Sequence, residues 1–536
     1  MTPTPLGIVL RHDKTGFTFI TREHLKTWEF VHYQTDSQHS QQILCRVAET
    51  EPLTEYPVEF LLDTGINPAD VAEFCGFDPD EFKYFMTKGV VIGYFDESLG
   101  EFINPRMNPA AGTVIHRSAA EQLREINKAQ SGEIGSATIG EIAGTDFEVV
   151  LSVKDVVSQH LSVIAATGAG KSYTVGVIVE ELLMPRNRAP VLIFDPHGEY
   201  TVLDAIANDS RFWDGDYKPK VRIVKPDKIK IRVGDLETSD LISIIDDGTM
   251  SDKMKTLFGS ACRTLRRDGS RGGTRQFTRS ELRNTVEEMR DGNNDSSIEG
   301  ILWRLRKLDN GIFHDHEDVP IVDYLRIGQL TVMDVSGIST GFQQMIAQVI
   351  LRKIFDARQK TENGTYTRDT PDKYLPYPVF VILEEAHRFA PQGADGGGVA
   401  KSKPIIKTIL SEGRKFGVGI CMVSQRPSKL DSDSLSQCMT QITMRIINPA
   451  DQEQIGRSIE SVSRDIVSEL PALAKGHAIV SGVGINTPTI VRIRQRYGRD
   501  RGASKDAPSI WVRESRTGRA GQGSGIIPDP ELDIGV

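Results

Sequence analysis

Cysteine pairs, long apolar runs and an export signal are all missing from this 536-residue sequence. No CxxC pair occurs, which argues against a zinc ribbon or a disulfide framework and agrees with a reducing compartment. The five cysteines are Cys45, Cys75, Cys262, Cys421 and Cys438. The apolar runs stay below the ~18 residues that span a bilayer, and the longest, such as 376–383, predict buried strands. Because the first residues also lack a basic head followed by an apolar stretch, we expect a soluble, cytoplasmic protein without membrane contact.

Acidic charge is concentrated in one part of the chain. The formal net charge is -9, and residues 51–100 hold two basic and eleven acidic residues, so the remainder is balanced. By contrast, residues 263–290 hold eight arginines and four acidic residues. Such segregation indicates that different regions face different partners. The Arg-rich segment is a candidate DNA grip, but we favour a solvated helical face with internal ion pairs, which explains the same pattern.

The N-terminal region has the pattern of a small β-barrel. Short runs rich in β-branched and aromatic residues occur from 7 to 49 and again at 57–63 and 90–96, as is typical of a barrel or sandwich. A stretch with helical spacing at 70–86 interrupts them, and small residues at 128–142 predict a linker. We assign residues 1–145 to a barrel that docks a partner.

From residue 147 onward, buried strands alternate with amphipathic helices, which predicts an α/β core with a parallel sheet. The candidate strands lie at 161–166, 190–195, 221–224, 330–335, 379–384, 417–424 and 441–446. Helical stretches replace strands at about 234–311, which predicts a helical insertion. We assign 146–500 to this core and 501–536, a mixture of Gly, Arg and Ser, to a mobile C-terminal tail.

The sequence AATGAGKSYT at 165–174 places a glycine-rich loop between a buried strand and an amphipathic helix. Backbone N–H groups and a helix N-terminus form an anion cradle, Lys171 can reach the β and γ phosphates, and the Ser172 hydroxyl can hold Mg²⁺. The predicted nucleotide-binding residues are Thr167, Gly168, Ala169, Gly170, Lys171, Ser172 and Tyr173. The pattern G-x-x-x-x-G-K-[ST] expects glycine where this chain has Ala165, so we expect a slightly altered loop and not a lost function. A chance Gly-rich turn is the alternative.

Two carboxylates end the apolar strand in VFVILEEAHRF at 379–389. Adjacent anions at a strand end cost free energy unless a cation or a function offsets them. Glu384 can contact Mg²⁺ directly or through water, and Glu385 can orient and deprotonate an attacking water. A solvated acidic cluster at a helix start is the alternative.

The run SEGRKFGVGICMVSQRPS at 411–428 contains a helix end and then a strand that ends at Ser424 and Gln425. Gln425 is placed to sense the γ-phosphate or the attacking water, unless it is only a satisfied polar strand end. Arg414 can act on a neighbouring subunit as an arginine finger, unless it merely caps its own helix.

The hexapeptide DPHGEY at 195–200 follows another candidate strand. Asp195 is a further candidate for the Mg²⁺ shell, although Asp-Pro and His-Gly are also ordinary turn chemistry. His197 and Glu199 lie too close along one loop to be assigned as metal ligands without a third partner.

Together these segments resemble the HerA-like ATPases, hexameric motors of the HerA/FtsK branch of RecA-like P-loop proteins. The resemblance rests on HLSVIAATGAGKS at 160–172, VLIFDPHGEY at 191–200, LTVMDVSGIS at 330–339, VFVILEEAHRFAP at 379–391 and the run at 411–428. With an N-terminal segment similar to the family's HAS barrel, it extends over roughly residues 1–500. It implies ATP and Mg²⁺ as cofactors. By motif position, the resemblance implies that Lys171 and Ser172 bind the phosphates and Mg²⁺. It implies that Glu384 and Glu385 are the acidic pair. Gln425 would be the sensor, and Arg414 would be the arginine finger that acts on a neighbouring subunit.

The resemblance further implies a hexameric ring that translocates double-stranded DNA. In the family, such rings act with the nuclease NurA in end resection for double-strand break repair by homologous recombination. Two alternatives remain: a nucleotide-gated hexameric scaffold of an antiphage effector complex, and a protein-directed or conjugation-type ATPase. They stay open because the same fold can act on DNA or on protein substrates.

Overall fold

The computed structural model describes residues 5–13, 16–35, 41–53, 70, 84–246, 248–267, 277–393, 400–458, 464–498 and 508. Twenty strands lie within these ranges. They are β1 (Pro5–His12), β2 (Phe17–Thr21), β3 (Phe30–Gln34), β4 (Gln42–Pro52), β5 (Phe85–Asp96), β6 (Glu101–Ile103), β7 (Val114–Arg117), β8 (Ser136–Ile142), β9 (Glu148–Ser152), β10 (Leu161–Ile164), β11 (Val191–Asp195), β12 (Lys220–Val224), β13 (Ile231–Arg232), β14 (Phe313–His314), β15 (Gln329–Asp334), β16 (Val379–Leu383), β17 (Val418–Ser424), β18 (Thr440–Met444), β19 (His477–Gly482) and β20 (Thr489–Ile493).

Twelve α-helices lie in the same described ranges. They are α1 (Ala120–Leu123), α2 (Val153–Ser158), α3 (Lys171–Leu183), α4 (Thr238–Ile245), α5 (Asp252–Arg267), α6 (Arg279–Glu287), α7 (Asp295–Leu305), α8 (Thr340–Glu362), α9 (Lys403–Phe416), α10 (Ser432–Ser436), α11 (Pro449–Ser458) and α12 (Arg464–Glu469). None of them is both long enough and apolar enough to cross a membrane.

Six of the described strands close into the predicted N-terminal barrel. Their order is β2-β1-β7-β3-β4-β5, and β2 also pairs with β5, which closes the ring. Along β2 buried and half-buried residues alternate, so Phe17 and Phe19 pack inside the barrel with Val9 of β1. This alternation is what a closed antiparallel sheet requires. The barrel prediction is confirmed.

Eleven described strands form the second sheet, in the order β12-β15-β11-β16-β17-β10-β18-β19-β20-β8-β9. The first seven in this order pair in parallel. Every residue of β10, β11, β16, β17 and β18 is buried, as expected for a parallel sheet covered by helices on both faces. This is the predicted α/β core, and its parallel strands coincide with the seven candidate strands of the sequence.

The prediction of a linker at 128–142 is wrong, because residues 136–142 form β8 of the main sheet. A Cβ at Gly140 would lie 2.1 Å from the carbonyl oxygen of Arg492 in the adjacent β20. The small residues of this segment therefore permit close strand packing and do not mark a flexible connection. The domain boundary predicted after residue 145 falls between β8 and β9, inside this sheet.

Helices α4 to α7 form the predicted helical insertion. Three of its described arginines are held by carboxylates: Arg279 by Asp315, Arg283 by Asp309, and Arg290 by Glu287 and Glu299. These pairs favour the solvated helical face over a DNA grip in this part of the segment. Residues 268–276 lie outside the described residues.

Three further sequence predictions fall wholly or mainly on residues that are not described. The strand predicted at 57–63 and residues 71–83 of the helical stretch at 70–86 lie outside the described residues. So does the predicted tail at 501–536, apart from Pro508. The end of the helical stretch is corrected, because Phe85 and Met86 belong to β5 and pair there with Thr21 and Ile20 of β2.

Candidate active site

The phosphate-loop sequence connects β10 to α3 at the carboxyl edge of the parallel sheet. Gly168 and Gly170 have φ values of +79° and +114°, a region that side chains other than glycine enter at a cost. Gly170 is the N-cap of α3, so Lys171 is the first residue of that helix. The loop therefore has the glycines and the helix start that an anion cradle needs.

Alanine at the first motif position fits this loop. Ala165 is fully buried, and its N–H donates to the carbonyl of Ser424 at 3.2 Å. The N–H of Ala166 donates to the carbonyl of Arg445 at 2.9 Å. The backbone of Ala165 lies outside the left-handed region, so no glycine is required there. The residue continues β10 between its two neighbouring strands.

Lys171 connects the phosphate loop to both predicted acidic residues. Its ammonium is ion-paired with Oε1 of Glu384 and lies 2.9 Å from Oε1 of Glu385. All three side chains are buried, with exposed fractions of 4%, 1% and 6%. The predicted phosphate residue and the predicted acidic pair thus meet in one buried cluster, as the carboxyl ends of β10 and β16 predict.

The two carboxylates are electrostatically different. Burial raises the pKa of Glu384 to about 7, even though Lys171 opposes this shift. Burial would also raise the pKa of Glu385, but the Lys171 ammonium outweighs it and this pKa is lowered. Divergent pKa values in a carboxylate pair are typical of separate acid–base roles. The ionised Glu385 has the protonation state of a general base.

The predicted sensor lies beside the loop and the acidic pair. The hydroxyl of Thr167 donates to Oε1 of Gln425 at 2.8 Å. Ser424, the last residue of β17, precedes Gln425, and its hydroxyl lies 3.2 Å from Nδ1 of His387. The same Nδ1 lies 3.2 Å from Oε2 of Glu385. Sequence reasoning missed His387, although it stands two residues after the acidic pair. Gln425 is therefore in contact with the loop, as a sensor would be.

Asp195 does not reach the phosphate loop in the described contacts. Its carboxylate accepts backbone N–H groups of its own turn, from His197 at 3.1 Å, Gly198 at 2.8 Å and Tyr200 at 2.9 Å. Burial raises the pKa of Asp195 against these hydrogen bonds. The turn interpretation, one of the two alternatives for this residue, accounts for every one of these contacts.

Two residues that follow in the same turn do reach the site. The Ser172 hydroxyl donates to Oε2 of Glu199 at 2.5 Å, and the Tyr200 hydroxyl donates to Oε2 of Glu384 at 2.7 Å. Sequence reasoning set Glu199 aside for want of a partner and gave Tyr200 no role. The sequence does not show that β11 lies beside β16 in the sheet, and this adjacency is what brings the turn after β11 to the acidic pair.

The predicted finger stands apart from this cluster. Arg414 lies in the last turn of α9 and is exposed. No hydrogen bond or ion pair joins it to any other residue that the structure describes. The cap of α9 is made by Gly417, which has a φ of +68°.

The segment after β20 packs on the helix that follows the phosphate loop. The N–H of Arg496 donates to the Tyr173 hydroxyl at 2.7 Å. Glu180, which is fully buried, accepts from Arg494 at 2.9 Å and from the N–H groups of Tyr497 and Gly498. These contacts fix α3, and with it the loop, against the end of the core.

Oxygen ligands suited to Mg²⁺ lie around the loop. The Ser172 hydroxyl and the Glu199 and Glu384 carboxylates are hard oxygen donors connected through hydrogen bonds with Ser172 and Tyr200. Within the described residues, no group of three or more His, Cys, Asp or Glu side chains forms a metal cage. Such a donor set fits Mg²⁺ held by one or two protein groups together with substrate phosphates.

Comparisons with known proteins give the following likenesses. Residues 137–354, from β8 into α8 and including the phosphate loop, match the family described as "Helicase HerA, central domain". The chain is 28% identical over 432 residues to a protein from Pyrococcus furiosus named DNA double-strand break repair helicase HerA, covering 73% of this chain and 75% of that protein. A probable helicase from Methanocaldococcus jannaschii is 28% identical over 510 residues, covering 93% of this chain and 92% of that protein.

Solved structures show a more distant likeness. The plasmid coupling protein TrwB in complex with the non-hydrolysable ATP analogue ADPNP aligns with a TM-score of 0.46 and 13% identity, covering 72% of this chain and 94% of that chain.

Proposed function

We propose that the chain, whose residues 137–354 match the HerA central domain, is a HerA-like P-loop ATPase and works as an ATP-driven motor on double-stranded DNA. The observation that carries the proposal is the convergence of Lys171, Glu384 and Glu385 in one buried cluster beside the phosphate loop. Curated relatives named as DNA double-strand break repair helicases support the choice of DNA as cargo.

ATP hydrolysis needs three things from these residues. The backbone of 167–170 and the Lys171 ammonium hold the phosphates, with Tyr173 following them on α3. Ser172 and Glu384 would hold Mg²⁺, which would offset phosphate charge. Glu385 accepts the proton of the attacking water, and Gln425 contacts that water or the γ-phosphate. Lys171 leaves its carboxylate partners as it turns to the phosphates, so Glu385 becomes free to act as base.

We propose a ring of identical subunits, hexameric as in the HerA-like ATPases, in which the exposed Arg414, with no hydrogen-bond or ion-pair partner among the described residues, acts on a neighbouring subunit. An exposed arginine with no described partner is suited to stabilise transition-state charge in a neighbouring site. Hydrolysis then changes the contact between subunits and can move DNA along a central channel. Contacts to the phosphate backbone would make this grip indifferent to sequence.

We further propose that a NurA-type nuclease docks on the N-terminal barrel and that the pair resects DNA ends for recombinational repair. The β5–β6 hairpin presents exposed Phe95 and Leu99 beside Glu97 and Glu101. Apolar side chains with an acidic rim suit a protein partner with a basic rim and repel DNA.

Steady-state ATP hydrolysis with and without long linear double-stranded DNA tests the proposal. We expect strong stimulation that fades with salt, because six to ten phosphate contacts lose roughly 10³- to 10⁵-fold in affinity between ~50 and ~200 mM salt. The Lys171→Ala variant is the control and should show no turnover. Lys171-dependent turnover that DNA leaves unchanged would overturn the DNA motor and favour a partner-gated scaffold or a protein-directed ATPase.

A second arm of the same assay adds the nuclease. The double variant Glu97→Lys/Glu101→Lys should keep DNA-stimulated hydrolysis and lose nuclease binding, since the hairpin lies outside the ATPase site. Unchanged nuclease binding by this variant would remove the barrel hairpin as the docking element.

A further inference from the structure

Glu199 is a carboxylate that directly contacts the serine of the phosphate loop. Oε2 of Glu199 accepts the Ser172 O–H at 2.5 Å, the short distance of a charge-assisted hydrogen bond. Both side chains remain accessible at the edge of the site, unlike the buried Lys171 cluster. This contact joins a loop residue to a turn that begins at the end of β11.

The turn that holds Glu199 is built for this placement. The Asp195 carboxylate accepts three backbone N–H groups within the turn, so its oxygens are occupied by backbone. Gly198 supplies a φ of +73° immediately before Glu199. Tyr200, immediately after it, donates to Glu384 at 2.7 Å. Adjacent residues of one turn therefore contact both groups that are proposed to hold Mg²⁺.

The direction of the Ser172 hydrogen bond decides what Glu199 can do. A serine hydroxyl has one donor and two acceptor lone pairs. When Ser172 donates its proton to Glu199, both lone pairs stay free, and the negative carboxylate raises their electron density. A hydroxyl whose oxygen lone pairs accepted hydrogen bonds from protein donors would be a poorer ligand for a cation.

We propose that Glu199 is a positioning residue for Mg²⁺: it holds the Ser172 hydroxyl in the orientation that coordinates the cation. Asp195 stabilises the turn that carries Glu199. The inference rests on the proposed ATPase function and adds to it a residue to which the sequence assigned no role. Partners of metal ligands typically change metal affinity by ~10- to 100-fold when removed.

The test measures how much Mg²⁺ tightens nucleotide binding, without requiring turnover. A fluorescent ADP analogue is titrated into the full chain in excess Mg²⁺ and in EDTA, and the ratio of the two Kd values is taken. For Glu199→Ala we expect this ratio to fall by ~10- to 100-fold, with the Kd in EDTA unchanged. Glu199→Gln should lie between the wild type and Glu199→Ala, because its amide oxygen still accepts from Ser172.

Asp204→Asn is the matched control. Asp204 is an exposed carboxylate five residues further along, and no described hydrogen bond or ion pair involves it. It should leave both Kd values unchanged. An unchanged ratio in Glu199→Ala, or equal weakening with and without Mg²⁺, would overturn the positioning role and leave a structural one.

The two proposals fail in different ways. Wild-type protein that binds nucleotide more tightly with Mg²⁺ but is not stimulated by DNA overturns the motor and still tests Glu199. Wild-type protein that binds no nucleotide, or binds it equally in Mg²⁺ and EDTA, overturns the Glu199 inference together with the metal part of the proposed mechanism.

Discussion

The replacement Lys171→Met tests how the buried acidic pair is held in the nucleotide-free protein. The Lys171 ammonium is ion-paired with Glu384 and Glu385, and all three side chains are at most 6% exposed. Removing one partner of a buried ion pair typically costs ~3 to 5 kcal/mol. Protonation of a carboxylate removes the buried negative charge that the Lys171 ammonium otherwise offsets. The loss of folding stability in Lys171→Met should therefore depend on pH.

The magnitude follows from the pKa of Glu384. Burial raises it from 4.5 to about 7, so the stability that its proton contributes is fully present below pH 4.5 and is lost as pH rises through 7. At ~1.4 kcal/mol per pKa unit, ionised Glu384 costs the wild type roughly 3 kcal/mol at about pH 8.5. Without Lys171 the pKa rises further, and the cost at that pH grows to as much as ~5 kcal/mol. At about pH 5.5 the residue is protonated in both proteins, so the added penalty of up to ~2 kcal/mol appears only at the higher pH.

Denaturant unfolding of nucleotide-free protein at about pH 5.5 and about pH 8.5 measures this difference. The wild type, Lys171→Met, Glu384→Gln and the double variant form a double-mutant cycle. We expect extra destabilisation of Lys171→Met at the higher pH and a smaller one in the double variant, which has no carboxylate at 384. Equal destabilisation at both pH values, or no rescue by Glu384→Gln, would refute the reasoning.

Two further predictions concern turnover. Glu385→Gln should bind ATP and slow hydrolysis by roughly 10²- to 10⁴-fold, the usual contribution of a general base; normal turnover would remove Glu385 from that role. Rings of Arg414→Ala alone should lose much of the ~10³- to 10⁵-fold acceleration that an arginine finger supplies. Mixing Arg414→Ala with Lys171→Ala subunits should restore some hydrolysis at hybrid interfaces, whereas no recovery would indicate a local role for Arg414.

The parallel core could be predicted from sequence because its signal is local. Five of the seven parallel strands are buried throughout and appear as continuous apolar runs, and all seven were found at their positions in the sheet. The antiparallel extension was missed because β8 contains small residues that also suit a linker. At Gly140 the neighbouring backbone of Arg492, 352 positions away in the chain by residue number, explains the glycine. Such a requirement is set by packing and leaves no periodic pattern.

The candidate site was predictable where a strand end carries a charge. Lys171, Glu384 and Glu385 follow parallel strands, and parallel strands bring their carboxyl ends to one edge. Asp195 was chosen over Glu199 on the same rule, because it ends β11. In the structure, hydrogen bonds within the turn occupy the Asp195 carboxylate, and the Glu199 carboxylate contacts Ser172. Side-chain direction within a turn depends on φ and on local hydrogen bonds. The amino-acid sequence alone gives neither of them.

The two adjacent glutamates show how backbone geometry divides roles within one dipeptide. In a strand, successive side chains point to opposite faces, so two extended glutamates could not both contact one ammonium. Glu384 keeps the strand pattern, and its N–H donates to Phe194 of β11 at 3.1 Å. Glu385 turns into the left-handed region with φ of 51° and ψ of 50°, at a cost of ~1 to 2 kcal/mol for a residue with a Cβ. That turn brings the second carboxylate back to Lys171 and places it beside His387. The strained residue is thus the one proposed to activate water, while its unstrained neighbour is held by Tyr200.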